Sequence, residues 1–364
     1  MANAARRRVA VVGATGVAGQ QFLVSLGQHP WFEVKRVAAS ERSAGKKFGD
    51  AIKDASSGAT RWFCDEPCPK DVLGLTVENA EKLVLDDIDL VFTAIESDAA
   101  KIVEPIYAAR VPVISTASAF RYEKDVPVFL PGVNIDHSAL ISAQQKNRGW
   151  KGFVTPGPNC TTVGLVFSLK PLFDRFGIQS VLMTSMQAVS GAGRSPGVLS
   201  YDILDNLIPY IPKEEEKVQT ETQKILGKLD NNTIIPAPFN VSCTCTRVNV
   251  IDGHTEAVFV SLGKKATKEE IKAAWREGYN EFLKLGLPSA PPELVHYTEE
   301  PFRPQPRIDR NMNDGMTTVI GRLREDNVLP NGFKYVLLSH NTKMGAAKGA
   351  VLTAEYLIKR GAIA

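Results

Sequence analysis

Long apolar runs are missing from this 364-residue chain. No uninterrupted stretch approaches the ~20 residues that a membrane helix needs, so a transmembrane protein and membrane partners are not expected. An excess of one charge is missing too. Forty-three Lys and Arg stand against 40 Asp and Glu, a formal charge of +3. That balance leaves no electrostatic footprint for nucleic acid or an anionic surface. Cysteine is scarce. Cys64, Cys68, Cys160, Cys243 and Cys245 are too few, and odd in number, for a disulfide scaffold in a chain of this length. Cys64-x-x-x-Cys68 and Cys243-x-Cys245 also lack the CxxC spacing of a thiolate zinc site and lie far apart, so no metal is expected. Three N-x-Ser/Thr triplets would matter only in a secreted protein. Arg6-Arg7-Arg8 followed by Val9–Val12 superficially resembles a leader, but the apolar stretch is short and runs straight into glycines. It reads as a first strand, and the expected compartment is the reducing cytoplasm.

What is present is ordinary globular composition, 44% hydrophobic and 23% charged, in a length that suggests about two domains. Apolar strands are expected at 6–12, 34–39, 90–95 and 111–115, with helices after the first and over 98–109. Continuous apolar strands alternating with helices predict a Rossmann-type, doubly wound parallel sheet. Past Pro156 the pattern changes. A helix over 161–176 is stopped by Gly177, and long strand-like runs follow at 180–189, 243–251 and 256–262. A helix is expected over 268–285 and a closing one over 343–360. This half predicts an α+β domain with a largely antiparallel sheet. No repeat or low-complexity tract is visible.

Gly13-Ala14-Thr15-Gly16-Val17-Ala18-Gly19 follows the first strand directly. Its GxxGxxG spacing is a variant of the dinucleotide fingerprint. The first glycine permits the tight turn, the second lets backbone approach phosphate, and the third allows close helix packing. N–H groups at the helix start would face the pyrophosphate. At the end of the second expected strand, Ser40-Glu41-Arg42-Ser43-Ala44-Gly45-Lys46 offers hydroxyls and cations, which suit a 2′-phosphate and favour NADP. Glu41 runs against that preference.

Pro158-Asn159-Cys160-Thr161-Thr162 places a cysteine at the start of the 161–176 helix, where free N–H groups and the helix dipole lower a thiol pKa. Asn159 suits the N-cap. A thiolate nucleophile and a buried structural cysteine are both compatible with that position. Arg247-Val248-Asn249-Val250-Ile251-Asp252-Gly253-His254 reads as a hairpin with Asp-Gly as its turn, which would put Arg247 and His254 on one face. A cation for a carboxylate and an imidazole for proton transfer would then point the same way. Lys213–Lys217 opens a polar helix running to Leu226 that by itself reads as a solvated face.

Taken together, the GATGVAG turn, SERSAGK, PNCTT, QAVSGAG at 187–193, EEEK…ETQKILG and RVNVIDGH resemble the aspartate-β-semialdehyde dehydrogenase family over essentially the whole chain. PGVN at 131–134 and the SHNTKMGAAKGA ending look most like its archaeal and fungal branch. The resemblance implies NADPH-dependent reduction of L-4-aspartyl phosphate to L-aspartate 4-semialdehyde, with release of phosphate, towards threonine, methionine and lysine. It implies Cys160 as the thioester-forming nucleophile, His254 as general acid/base and Gln187 as the residue orienting the acyl-enzyme. Arg247 matches the ligand of the substrate carboxylate and Glu215 that of its amino group, while Arg121 and Lys217 match the phosphate ligands. Gly13, Thr15, Gly16, Val17, Gly19, Ser40, Arg42, Ser43, Ser190, Gly191 and Asn341 match cofactor positions. Residues 1–158 would form the NADP-binding domain and 159–341 the catalytic and oligomerisation domain, with 342–364 returning to the first. A homodimer or homotetramer packing through the catalytic sheet is implied. Departures are small: Gly132 replaces a frequent Glu, and Thr116-Ala117-Ser118 an Asn-bearing turn. An acyl-CoA reductase with the same cysteine and NADPH chemistry is the alternative enzyme, and a redox-sensing NADP-binding protein the alternative outside catalysis.

Overall fold

The computed structural model describes residues 6–193 and 197–363, which divide into two compact units. The first comprises residues 1–127, 138–157 and 350–364, and the second 128–137 and 158–349. Residues 128–137 therefore count with the second unit, and the last helix, Ala347–Lys359, with the first from Ala350 onward.

The first unit holds a six-stranded sheet of β1 (Arg7–Val12), β2 (Phe32–Ala39), β3 (Val77–Asn79), β4 (Leu90–Thr93), β5 (Val113–Ser115) and β6 (Val154–Pro156). Their order is β3-β2-β1-β4-β5-β6 and all pairings are parallel, as in a Rossmann-type sheet. The apolar strand runs explain this. Val9–Val12 and Leu90–Phe92 are fully buried, which only a sheet covered on both faces permits. The order reverses between β1 and β4, so the crevice outside their carboxyl ends is where such a sheet binds ligand.

The second unit is built on β7 (Ile178–Gln187), the small ribbon β8 (Lys228–Asp230) and β9 (Thr233–Ile235), then β10 (Asn240–Arg247), β11 (His254–Leu262), β12 (Val295–Thr298), β13 (Thr318–Asp326) and β14 (Gly332–Ser339). The large sheet has the order β10-β7-β11-β14-β13-β12, with the β10–β7 and β12–β13 pairs parallel and the other three antiparallel. Helix Cys160–Phe176 covers its buried face, and Gly177, at φ +71°, ends it. Alternation along β7 and β10 leaves Leu182, Thr184, Ser242 and Thr244 on the other, exposed face.

Two expectations are corrected. No Asp-Gly hairpin joins β10 to β11, because β7 lies between them and pairs with both. The 248–253 connection instead crosses the end of β7, held by Val248 N–H on Gln187 O (3.0 Å) and Val189 N–H on Val250 O (2.8 Å). The helix expected over 268–285 breaks into Lys268–Glu277 and Asn280–Leu283. Gly278 separates them where a Cβ would lie 2.8 Å from the Pro171 ring, so close approach dictates the residue and the residue weakens the helix.

Candidate active site

Cys160 is the first residue of its helix, and a built cap precedes it. The Asn159 side-chain oxygen accepts the N–H groups of Thr161 (2.9 Å) and Thr162 (3.3 Å). Helix Glu214–Ile225 then holds Asn159 from outside. Glu221 Oε2 accepts its backbone N–H at 2.6 Å and Glu214 Oε1 its amide at 2.8 Å. The two carboxylates are seven residues apart, two helical turns on one face. The cap was legible in the sequence; its carboxylate support was not, since nothing in the EEEK run indicates which residue turns inward.

Above the cysteine stands a row of buried side chains on the helix-facing side of the sheet. Arg247 pairs with Gln187, and the β7–β11 register, continued one step past Thr255–Met186, brings His254 beside Gln187. Arg247 and His254 therefore share a face, although through an intervening strand and not a hairpin. His254 Nε2 lies 3.2 Å from Cys160 Sγ. Ala188 ties the row together: its N–H donates to His254 Nδ1 (3.1 Å) and its carbonyl accepts Arg247 Nη1 (2.8 Å). Because Nδ1 accepts, the single ring proton of a neutral imidazole sits on Nε2, facing the sulfur. Burial, with Arg247 and His340 adding like charge, drives the His254 pKa down to about 3, so the ring is neutral. Burial also lowers the Arg247 pKa, opposed by Cys160 and Glu214. A Cβ on Gly191 would come within 3.0 Å of Arg247 Nη1 and 3.1 Å of the His254 ring, and one on Gly345 within 3.0 Å of Cys160 Cβ. Those two glycines keep backbone against the reacting groups.

Asn341 steadies the turn that presents His254. Its Oδ1 accepts Gly253 N–H and its Nδ2 donates to Ser190 Oγ, both at 2.8 Å. Glu215 Oε1 accepts Cys245 N–H at 3.0 Å, and Lys217 Nζ stands 3.4 Å from Glu214 Oε2. Two residues beyond His254 on β11, Glu256 is completely buried. Burial raises its pKa well above the ordinary carboxylate value.

In the first unit, Gly13 takes φ +81° and its N–H donates to Ala38 O (2.8 Å), turning the chain out of β1. A Cβ on Gly19 would meet Gly13 O at 2.0 Å, whereas one on Gly16 would lie at an ordinary 3.4 Å from the same oxygen; Gly16 is exposed and precedes helix Val17–Leu26 with no side-chain cap. Thr15 O accepts Gln20 Nε2 at 3.3 Å. An uncapped helix start beside exposed glycine is what a pyrophosphate requires, so the turn fits a dinucleotide. After β2, Ser40 and Arg42 are exposed and Ser43 half-buried, in a turn closed by Ser43 N–H on Ser40 O (2.9 Å). Arg121 lies in this unit too, with its Nη2 donating to Thr116 O at 2.9 Å.

A capped cysteine, a neutral imidazole on its sulfur and a buried guanidinium alongside are placed on one unit, and a dinucleotide turn on the other. Comparison with known proteins matches residues 8–141 to the semialdehyde dehydrogenase NAD binding domain and 169–344 to the semialdehyde dehydrogenase dimerisation domain. The chain is 45% identical to the aspartate-semialdehyde dehydrogenase of Methanothermobacter thermautotrophicus, covering 96% of this chain and 98% of that one. The chain belongs to the aspartate-semialdehyde dehydrogenase family. Identity to the Saccharomyces cerevisiae member is 40% over 99% of this chain and all of the other. A solved member from Candida albicans, with NADP, superposes with a TM-score of 0.87 at 38% identity, over 98% of this chain and all of that one. Family membership agrees with the fold, a Rossmann-type sheet in one unit and a mixed, mainly antiparallel sheet in the other.

Proposed function

We propose that the chain catalyses NADPH-dependent reductive dephosphorylation of L-4-aspartyl phosphate to L-aspartate 4-semialdehyde, in the synthesis of threonine, methionine and lysine in the cytoplasm. The observation that carries this reading is the Cys160 sulfur at a capped helix start, 3.2 Å from His254 Nε2. Relatives bearing that name at 37–46% identity support the substrate, and the dinucleotide turn supports the cofactor.

The Cys160 thiolate attacks the acyl carbon, the carbon–oxygen bond to phosphate breaks, and a thioester forms. Arg121 and Lys217 bind the phosphate, which takes its remaining proton from solvent. When bound, the reduced nicotinamide supplies the hydride that the thioester carbonyl carbon accepts. His254 Nε2–H donates first to sulfur and then to the oxyanion, whose collapse releases the aldehyde and restores the thiolate. Started from the thiolate, neither half of this sequence needs a base. That agrees with an imidazole kept neutral with its proton on Nε2, and makes His254 a hydrogen-bond donor more than a proton acceptor. Arg247 binds the α-carboxylate and Glu215 the ammonium group, while Gln187 orients the acyl group. Gly13, Thr15, Gly16, Val17 and Gly19 cradle the pyrophosphate, and Ser40, Arg42 and Ser43 meet the 2′-phosphate. Ser190, Gly191 and Asn341 border the nicotinamide. Residues 1–158 and 342–364 serve the cofactor and 159–341 catalysis. The exposed sheet face bearing Leu182 and Phe259 pairs two copies, as the matched dimerisation domain supports.

The test mixes purified protein with L-aspartate semialdehyde, phosphate and NADP and follows NADPH absorbance before and after thiol alkylation. Phosphate-dependent NADPH formation that alkylation abolishes is expected. A folded, NADP-binding protein that gives no signal, yet reduces malonyl-CoA or another acyl-CoA ester, would overturn the substrate.

A further inference from the structure

One completely buried carboxyl at the carboxyl edge of the first sheet has no part in the roles above. Glu104, on helix Ser97–Ala108, directs Oε1 between the ends of two neighbouring strands. Thr93 Oγ1 at the end of β4 donates to it at 2.5 Å, and Ser115 Oγ at the end of β5 at 2.6 Å. From these two residues further hydrogen bonds run outward to the loop that follows β5. Ser115 Oγ accepts Ala117 N–H at 3.0 Å. Thr93 O accepts Thr116 N–H at 3.0 Å and Thr116 Oγ1 at 3.2 Å. Thr116 O in turn accepts Arg121 Nη2 at 2.9 Å, and Ser118 O accepts Arg121 N–H at 3.3 Å. The carboxyl thus fixes the side chains of Thr93 and Ser115, the loop 116–121 hangs from the Ser115 hydroxyl and the Thr93 carbonyl, and that loop positions the guanidinium.

Placing a carboxyl here is costly. Val91, Val103, Tyr107 and Val113 belong to the surrounding core, and burial raises the Glu104 pKa to about 7. Leucine would fill similar space without that cost but could accept neither hydroxyl. The chemistry the carboxyl adds is therefore acceptance of two donors at one point, which sets the spacing of two strand ends.

We propose that Glu104 is a positioning residue for phosphate recognition, holding the 116–121 loop so that Arg121 presents its guanidinium to the substrate phosphate. The inference rests on the reading of Arg121 as a phosphate ligand. Steady-state kinetics of semialdehyde oxidation with varied phosphate test it, alongside NADP affinity by fluorescence and thermal melting. Glu104→Leu is expected to raise the phosphate KM about 10-fold or more, since small misplacements of a binding group are amplified kinetically. NADP affinity should stay within about twofold, because the glycine turn is untouched. Glu104→Gln, whose amide oxygen still accepts both hydroxyls, is expected to restore the phosphate KM to near wild type. Ser115→Ala cuts the same chain at its middle and should also raise it, which keeps the test open if Glu104→Leu does not fold. In an Arg121→Ala background, Glu104→Leu should add little, because the two act on one contact. A wild-type phosphate KM in folded Glu104→Leu or Ser115→Ala would overturn this inference alone. A wild-type phosphate KM in Arg121→Ala would overturn the reading of Arg121, and this inference with it.

Discussion

Arg247 shows how much one side chain is asked to do. It is buried, and one nitrogen already holds the Ala188 carbonyl that braces the catalytic row. Only a guanidinium can keep that bond and still offer a fork to a carboxylate. Arg247→Lys is expected to raise the semialdehyde KM by about 10- to 100-fold while leaving NADP affinity unchanged, measured by steady-state kinetics and cofactor fluorescence. His254 carries the pH signature. With its pKa near 3, it becomes an imidazolium only in strong acid. No fall in kcat with a midpoint near the ordinary histidine value is expected on acidification, and such a fall would contradict the donor role. His254→Ala should cost about 10²- to 10³-fold in kcat, the usual loss for one oxyanion donor. The other thiols of the second unit differ from Cys160. Burial pushes Cys245 up to about 12 and Cys243 further, so they stay protonated and inert.

The strands explain why sequence periodicity located the right face by the wrong connection. Arg247 and His254 lie on one side of the sheet whether β10 meets β11 or β7 intervenes, since residues in register share a face. Which strand intervenes depends on long-range pairing that neither segment encodes locally. Helix Cys160–Phe176 shows the same division. Its cap and its stop at Gly177 are local and were legible. Its closeness to β14 is not: a Cβ on Gly164, one turn past Cys160, would lie 2.9 Å from Ser339 Cβ and 3.0 Å from Leu337 Cδ1. Gly164→Ala would push this helix off the sheet, and we expect about 1–3 kcal/mol lost in denaturant unfolding, with Cys160 displaced from His254 and kcat reduced.

Across the whole molecule, buried acid sets the pH response of stability. The Glu104 pKa rises from an ordinary 4.5 to about 7 through burial, opposed by the two hydroxyls. Because the folded-state value is the higher one, the stabilisation is complete below about 4.5 and is lost as pH climbs through about 7. Glu104→Gln cannot ionise. Its unfolding free energy relative to wild type should therefore improve by up to about 3 kcal/mol between about pH 5 and about pH 8, read from paired denaturant melts. An unchanged difference across that range would show that Glu104 ionises freely in the fold. Association belongs to this scale as well. Leu182 (44% exposed) and Phe259 (36% exposed) lie on the outer face of β7 and β11. Leu182→Glu with Phe259→Lys is expected to yield a folded monomer by sedimentation.

The sequence by itself determined the two-part organisation, the parallel sheet, the glycine turn and the capped cysteine. Each of these depends on short-range order: period-two alternation, a glycine where φ is positive, or an N-cap one residue before a helix. It also singled out Arg247 and His254, although the Asp-Gly hairpin that would put them on one face does not form and their shared face comes from pairing through β7. Only the tertiary structure decided what holds these groups in place. The tautomer of His254 is set by the N–H of Ala188, sixty-six residues away. Asn159 is held by Glu214 and Glu221, and the loop of Arg121 by Glu104. In each case a buried polar group must find its partner inside the fold, where no water can substitute, and that partner is chosen by packing between segments distant in the chain.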